Sequence, residues 1–184
     1  MQSVAGFEGG RITFIHNAGT FTPIGFEGEV DASAYRNNVL LNSAAPQVLG
    51  DAFLRAAQDR SASCDMVMIG SGAATSAYPG WTSYGAAKAA MAQWVRSARL
   101  EQDARPHANR VVWIAPGVVA TPMQTEIRST PDADFPQVEK FHDLFADRNL
   151  STPSDAADAI WAILGGERRE RCRSRRSRSL RGGC

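Results

Sequence analysis

Met66-Val67-Met68-Ile69-Gly70-Ser71-Gly72-Ala73-Ala74 and Trp81-Thr82-Ser83-Tyr84-Gly85-Ala86-Ala87-Lys88 are the two stretches that decide how this chain folds. Met66 to Ile69 reads as a buried strand that runs into a small-residue loop. Pro79-Gly80-Trp81 reads as a turn, and Ser83 to Leu100 as a helix. From Ala86 onward that helix has almost no β-branched residues. Strand, loop and helix in this order place Ser71, Tyr84 and Lys88 at the carboxyl end of one strand and the start of the next helix. That is where open α/β sheets bind ligands.

Tyr84 and Lys88 are four residues apart, so a helix carries both on one face. A phenol ionises near pH ~10, and acting as an acid or base near neutrality requires a shift of about 3 units, or roughly 4 kcal/mol. A lysine ammonium one turn away supplies part of that shift. An isolated Tyr-x-x-x-Lys pair is usually a solvated helix face; here it comes with a strand end and a hydroxyl. Ser76 and Ser83 are alternative hydroxyls, but only Ser71 ends a strand.

Outward from this centre, Ile12 to Ile15 reads as a strand. Ala32 to Gln58 reads as a helix that Pro46 breaks or kinks, and Arg110 to Ile114 as another strand. Residues 122–150 are polar and contain prolines, with short helical stretches. Ser154-Asp155 is expected to cap a last helix, Ala156 to Leu164. Strands alternating with helices predict an α/β fold with a parallel sheet. Taken singly, Asn17-Ala18-Gly19 and Pro116-Gly117 are turn signals, and Asn42 is a polar residue on an exposed helix. Trp81 and Trp113 read as core or pocket wall. His16, His107 and His142 lack metal-ligand spacing and read as structural or surface residues, so no metal site is expected.

In combination these segments resemble the short-chain dehydrogenase/reductase family. Asn17-Ala18-Gly19, preceded by His16, is similar to an Asn-Asn-Ala-Gly motif with His in place of the first Asn. Asn42 matches the catalytic-helix asparagine, and Ser71, Tyr84 and Lys88 match the serine and the Tyr-x-x-x-Lys pair. Pro116-Gly117-Val118-Val119-Ala120-Thr121 matches a Pro-Gly-x-x-x-Thr segment. The resemblance covers about residues 11–166 and is nearest to the branch of sepiapterin and benzil reductases. It implies a Rossmann-like doubly wound parallel sheet, present here as the C-terminal part of the fold. The implied catalytic set is Asn42, Ser71, Tyr84 and Lys88. Asn17, Ala18, Gly19, Tyr84, Lys88, Pro116, Gly117, Val119 and Thr121 would bind the cofactor, with NADP(H) favoured over NAD(H). The implied reaction reduces a small ketone or diketone, with Tyr84 as proton donor and Asn42 anchoring a water. Residues 122–150 would cover the substrate, and helices near 42–58 and 83–100 would pair two subunits. The alternative is an inactive family member acting only as a dimerising fragment.

The family's first strand, glycine-rich turn and helix, whose backbone N–H groups hold the pyrophosphate, have no counterpart here. Gly6-Phe7-Glu8-Gly9-Gly10 precedes a strand rather than a helix. The expectation is a truncated domain over 1–166 that folds weakly and binds the dinucleotide poorly. Residues 167–184 carry eight Arg and two Glu, a balance of +6, against +1 for the whole chain, which leaves −5 for the rest. The mildly acidic body argues against nucleic acid as a partner. For the Arg-rich tail three readings stand: a reading-frame artefact, a disordered solvated segment, or an anion-binding patch. No apolar run has membrane-spanning length. Two of the three cysteines, Cys172 and Cys184, fall in the tail, so a disulfide framework is not expected and a reducing cytoplasm is the simplest setting.

Overall fold

The computed structural model describes residues 10–58 and 62–165; the Arg-rich tail lies outside the described residues. Three strands form one parallel sheet in the order β1 (Arg11–His16), β2 (Ser63–Ile69), β3 (Arg110–Ile114). Ile12 lies opposite Cys64, and Val67 opposite Val112. The central strand is buried from Cys64 to Ile69, as a strand covered on both faces must be.

Successive side chains of β2 point to opposite faces, and each face meets a different layer. Met66 and Met68 pack with Phe53, Leu54, Met91, Val95 and Val111. Val67 and Ile69 pack with Ile114, Ile160 and Leu164. The first layer comes from α2 (Ala45–Ala56) and α3 (Thr82–Asp103), the second from α6, which spans 153–165. Helices on both faces of a parallel sheet make the doubly wound arrangement expected from the sequence. Arg110 fastens α6 to the sheet: Nη1 donates to Leu164 O at 2.7 Å and Nη2 to Ile163 O at 3.0 Å. Within β2, the buried Asp65 accepts from Arg11 Nε at 2.7 Å.

The expected helix over 32–58 is three segments: α1 (Ala32–Val39), a π-helical turn (Leu40–Ala44) and α2. Pro46 sits in the first turn of α2 and offers no N–H to the carbonyl four residues back, which is that of Asn42. The helix answers with a wider turn instead of a break. Two boundaries differ from the sequence reading. The helix from Ser83 starts at Thr82 and runs on to Asp103. The cap of α6 is Thr152, whose Oγ1 accepts from Asp155 N at 3.1 Å and donates to Asp155 Oδ2 at 2.7 Å, so Pro153 begins the helix where its missing N–H costs nothing. The polar stretch after 122 contains α4 (Pro122–Arg128) and α5 (Val138–Ala146). With Phe135 these helices form a second cluster over Phe21, Ala73, Trp81 and Tyr84. Gly80, at φ +84°, allows this approach, because a Cβ there would lie 2.2 Å from Asp134 O.

Candidate active site

The chain leaves β2 at Ile69 and turns through Gly70, where a Cβ would lie 2.1 Å from the Trp113 ring. Only glycine fits that crossing. Ser71 follows in extended conformation, and its Oγ accepts from Ala73 N at 3.2 Å, capping the short 3₁₀ turn Gly72–Ala74. The Ser71 hydroxyl lies near enough to the Tyr84 phenol, which enters from the first turns of α3, to lower its pKa. Ser83 is buried in the same turn, but it is Ser71 that meets the phenol.

Lys88 lies one turn beyond Tyr84, and both are 5% exposed. Its Nζ donates to Ile69 O at 3.2 Å and sits 5.7 Å from the Tyr84 ring centroid. Burial draws the ammonium down to about 8. Burial also pushes the phenol above its ordinary value, and the Ser71 hydroxyl opposes this only in part. The sequence-based expectation that Lys88 pulls the phenol down toward neutrality is therefore reversed in this structure. Desolvation outweighs the lowering effect of Ser71, and the phenol is the protonated form at neutral pH.

Asn42 is fully buried, and its amide is saturated. Oδ1 accepts from Thr20 N at 3.2 Å; Nδ2 donates to Thr20 O at 2.8 Å and to Asn38 Oδ1 at 3.0 Å. Asn38, also fully buried, donates to Thr22 O at 3.0 Å and Thr20 O at 3.3 Å. The sequence reading missed Asn38; its signal was the four-residue spacing to Asn42, which puts both amides on one helix face. Together they pin the loop after β1. A Cβ on Gly19 of that loop would lie 2.9 Å from Asn42 Oδ1 and 3.6 Å from Lys88 Nζ. The loop backbone thus passes directly over both groups, while Asn17, Ala18 and Gly19 stay exposed on its outer side. His16, one residue before the loop, is buried, and burial and the Lys88 charge lower its pKa. It belongs to the interior of this site rather than to the surface.

The Pro116–Thr121 segment is held from elsewhere. Gly117 takes φ +81°, Val119 bridges Ser151, Ala120 N donates to Ser151 O at 2.9 Å, and Thr121 O accepts from Gln124 N at 2.9 Å. The structure brings Asn42, Ser71, Tyr84, Lys88 and Gly19 together, and among the described residues no hydrogen bond joins the Pro116–Thr121 segment to Tyr84, Lys88 or Asn42. Among the described residues, His16 Nδ1, Trp81 Nε1 and Gln124 Oε1 of this region are buried without a hydrogen-bond partner.

The residues present fit one end of a nicotinamide dinucleotide. Beyond Ile69 O, the Lys88 ammonium keeps donors for a ribose diol, and an exposed backbone loop lies beside it. Among the described residues no glycine-rich strand-to-helix turn forms a pyrophosphate cradle.

The chain is similar to known proteins over most of its length. The chain is 33% identical over 153 residues to benzil reductase ((S)-benzoin forming) of Bacillus subtilis (strain 168), covering 83% of this chain and 63% of that protein. It is 31% identical over 153 residues to the Bacillus cereus protein of the same name, covering 83% and 61%. The chain thus spans about three fifths of the length of these relatives. The crystal structure of KRED1-Pglu enzyme superposes with a TM-score of 0.73 at 29% identity, covering 89% of this chain and 65% of that one. A short chain dehydrogenase from Burkholderia cenocepacia J2315, solved in complex with NADP, superposes at 0.64 with 25% identity, covering 84% and 57%. A family model for short chain dehydrogenase matches residues 5–132, which include the β1 loop, the π turn, Ser71, Tyr84 and Lys88, and the chain belongs to that family.

Proposed function

We propose that these residues form the proton-transfer end of an NADP(H)-dependent reductase for small ketones and vicinal diketones. The observation that carries the reading is the buried Tyr84 phenol one helical turn from the equally buried Lys88, with Ser71 at the carboxyl end of β2 beside it. A reduced nicotinamide, when bound, supplies the hydride that goes to the carbonyl carbon. Tyr84 donates its phenolic proton to the carbonyl oxygen, and Ser71 holds that oxygen in place. A phenol raised by burial is in the right form to give a proton. Lys88 holds the ribose hydroxyls and stabilises the phenolate left behind. The side chain of Asn42 is already saturated, so its role falls to its backbone carbonyl, which Pro46 cannot engage and which anchors a water that returns the proton. Asn17, Ala18 and Gly19 line the ribose, and Pro116, Gly117, Val119 and Thr121 the nicotinamide side. NADP(H) is preferred because a relative of similar fold carries NADP, and a diketone because the relatives named above are benzil reductases. Leu41, Val48, Leu49 and Leu100, all exposed on the π turn, α2 and α3, support a homodimer through the helices near 42–58 and 83–100, and we place it in the cytoplasm.

A second reading is an inactive chain that only pairs with another subunit. It is favoured by β1, which pairs with β2 alone among the described residues and leaves an open edge. NADPH oxidation in the presence of benzil, compared between the 184-residue chain and its Tyr84→Phe variant, tests the first reading. Turnover that survives in the Phe variant refutes the role of Tyr84. NADPH that binds to neither protein, with dimers still forming, selects the second reading.

A further inference from the structure

We propose that the Trp81 indole N–H is a specificity-determining donor that binds the second oxygen of a vicinal diketone whose first carbonyl lies at Tyr84. The proposal rests on the reductase reading above. Trp81 is 4% exposed, and its Nε1 is buried with no hydrogen-bond partner among the described residues. An orphaned buried donor costs about 1–3 kcal/mol and calls for a partner, whether ligand or water.

The indole cannot turn to find one. It stacks on Phe135 at 4.5 Å with an interplanar angle of 6°, lies 4.6 Å from Phe21 and 4.8 Å from Tyr78, and meets the Tyr84 ring edge-on at 6.1 Å. Among the rings that touch Tyr84 it carries the one orphaned donor. Trp113 also has an unpaired Nε1 but makes no ring contact with Tyr84.

An indole N–H donates and never accepts, so it separates a carbonyl oxygen from a methylene at the same place. Ser71 and Tyr84 serve the reacting oxygen, and the neighbouring oxygen of a diketone needs a donor of its own. The Phe21 and Trp81 rings beside it offer apolar walls to an aryl or alkyl substituent.

The test is a ¹H–¹⁵N spectrum of the four indole groups in the full 184-residue chain. Trp81 is assigned from Trp81→Phe or, should that variant not fold, by elimination with Trp94→Phe, Trp113→Phe and Trp161→Phe. The chain is titrated with benzil and with deoxybenzoin, which lacks the second carbonyl. Benzil should move the Trp81 resonance and bind at least ~10-fold more tightly than deoxybenzoin, because a site built for a polar group penalises the analogue that lacks it. Trp81→Phe should bind both alike. Equal affinity for the two ketones in the wild-type chain, a resonance that does not respond to benzil, or a preference retained in Trp81→Phe overturns the inference while leaving the reductase reading in place. Binding of neither ketone overturns both.

Discussion

Replacing Asn42 by Ala should destabilise the fold by about 2–4 kcal/mol, whatever the catalytic outcome. The Asn42 amide makes three hydrogen bonds, none of which alanine can replace. Thr20 O keeps a partner in Asn38 Nδ2. Thr20 N and Asn38 Oδ1 do not, and Asn38 is fully buried. Each orphaned buried group costs about 1–3 kcal/mol; Thr20, half-buried, falls at the low end because water can reach it. In a urea melt followed by circular dichroism, the loss should lower the midpoint by about 1 M or more. Asn42→Asp should be at least as harmful at neutral pH, since it sets a buried carboxylate against Thr20 O and Asn38 Oδ1. The Asn38→Ala, Asn42→Ala pair should cost less than the sum of the single changes by about 0.5–3 kcal/mol, because the two side chains share a bond. A loss below about 1 kcal/mol for Asn42→Ala, or an Asp variant as stable as the wild type, would refute the claim that this amide is what pins the loop after β1.

Three further outcomes follow from the same geometry. Lys88 titrates near 8 when folded, against 10.5 for a solvated lysine, so between those values the unfolded chain holds a proton that the folded chain has released. Stability therefore rises with pH across that window, and the difference between wild type and Lys88→Met should climb by up to roughly 3 kcal/mol from pH 8 to 10.5; a flat difference in paired melts would show that the ammonium is not desolvated. Gly70→Ala places a methyl carbon inside the Trp113 ring volume and should cost about 1–3 kcal/mol, visible as a lowered Tm, whereas an unchanged Tm would mean the ring moves freely. Val48→Asp with Leu100→Asp should convert the proposed homodimer to a monomer in light scattering, as two of the exposed apolar residues on α2 and α3 become charged; a dimer that persists places the interface elsewhere.

The elements that sequence periodicity could locate were those with one strong local cause. The apolar run at 66–69 gave the central strand, which the structure extends at its start to Ser63, and the small-residue run from Ala86 gave α3. Spacing alone matched Ser71, Tyr84 and Lys88 to one another. What the sequence could not show depends on distant partners. Pro46 announces an irregular helix, but whether the chain breaks or widens into a π turn is decided by packing that keeps Asn38 and Asn42 against Thr20. The helix-capping role of Thr152, rather than Ser154, turns on a hydroxyl that reaches Asp155.

The reversal at Tyr84 follows the same rule. Position i to i+4 fixes which groups are neighbours, and it tempts a reader to let the nearer charge set the protonation state. The sign is set instead by how much water the fold removes. Phe21 stacks on the Tyr84 ring at 4.2 Å, Trp81 closes its edge, and α4 and α5 cover both; residues as distant as Ile127 and Phe141 therefore help to keep the phenol protonated. Lys88, buried under the loop after β1, loses part of its own hold on a proton for the same reason. An open form in which α4 and α5 lift away would hydrate the phenol and lower it. Truncating Phe135 to Ala, which unstacks Trp81, should for that reason shift the Tyr84 titration to lower pH in a phenolate absorbance scan. A titration that stays put or moves upward would mean that burial under the aromatic cover is not what holds the proton on Tyr84.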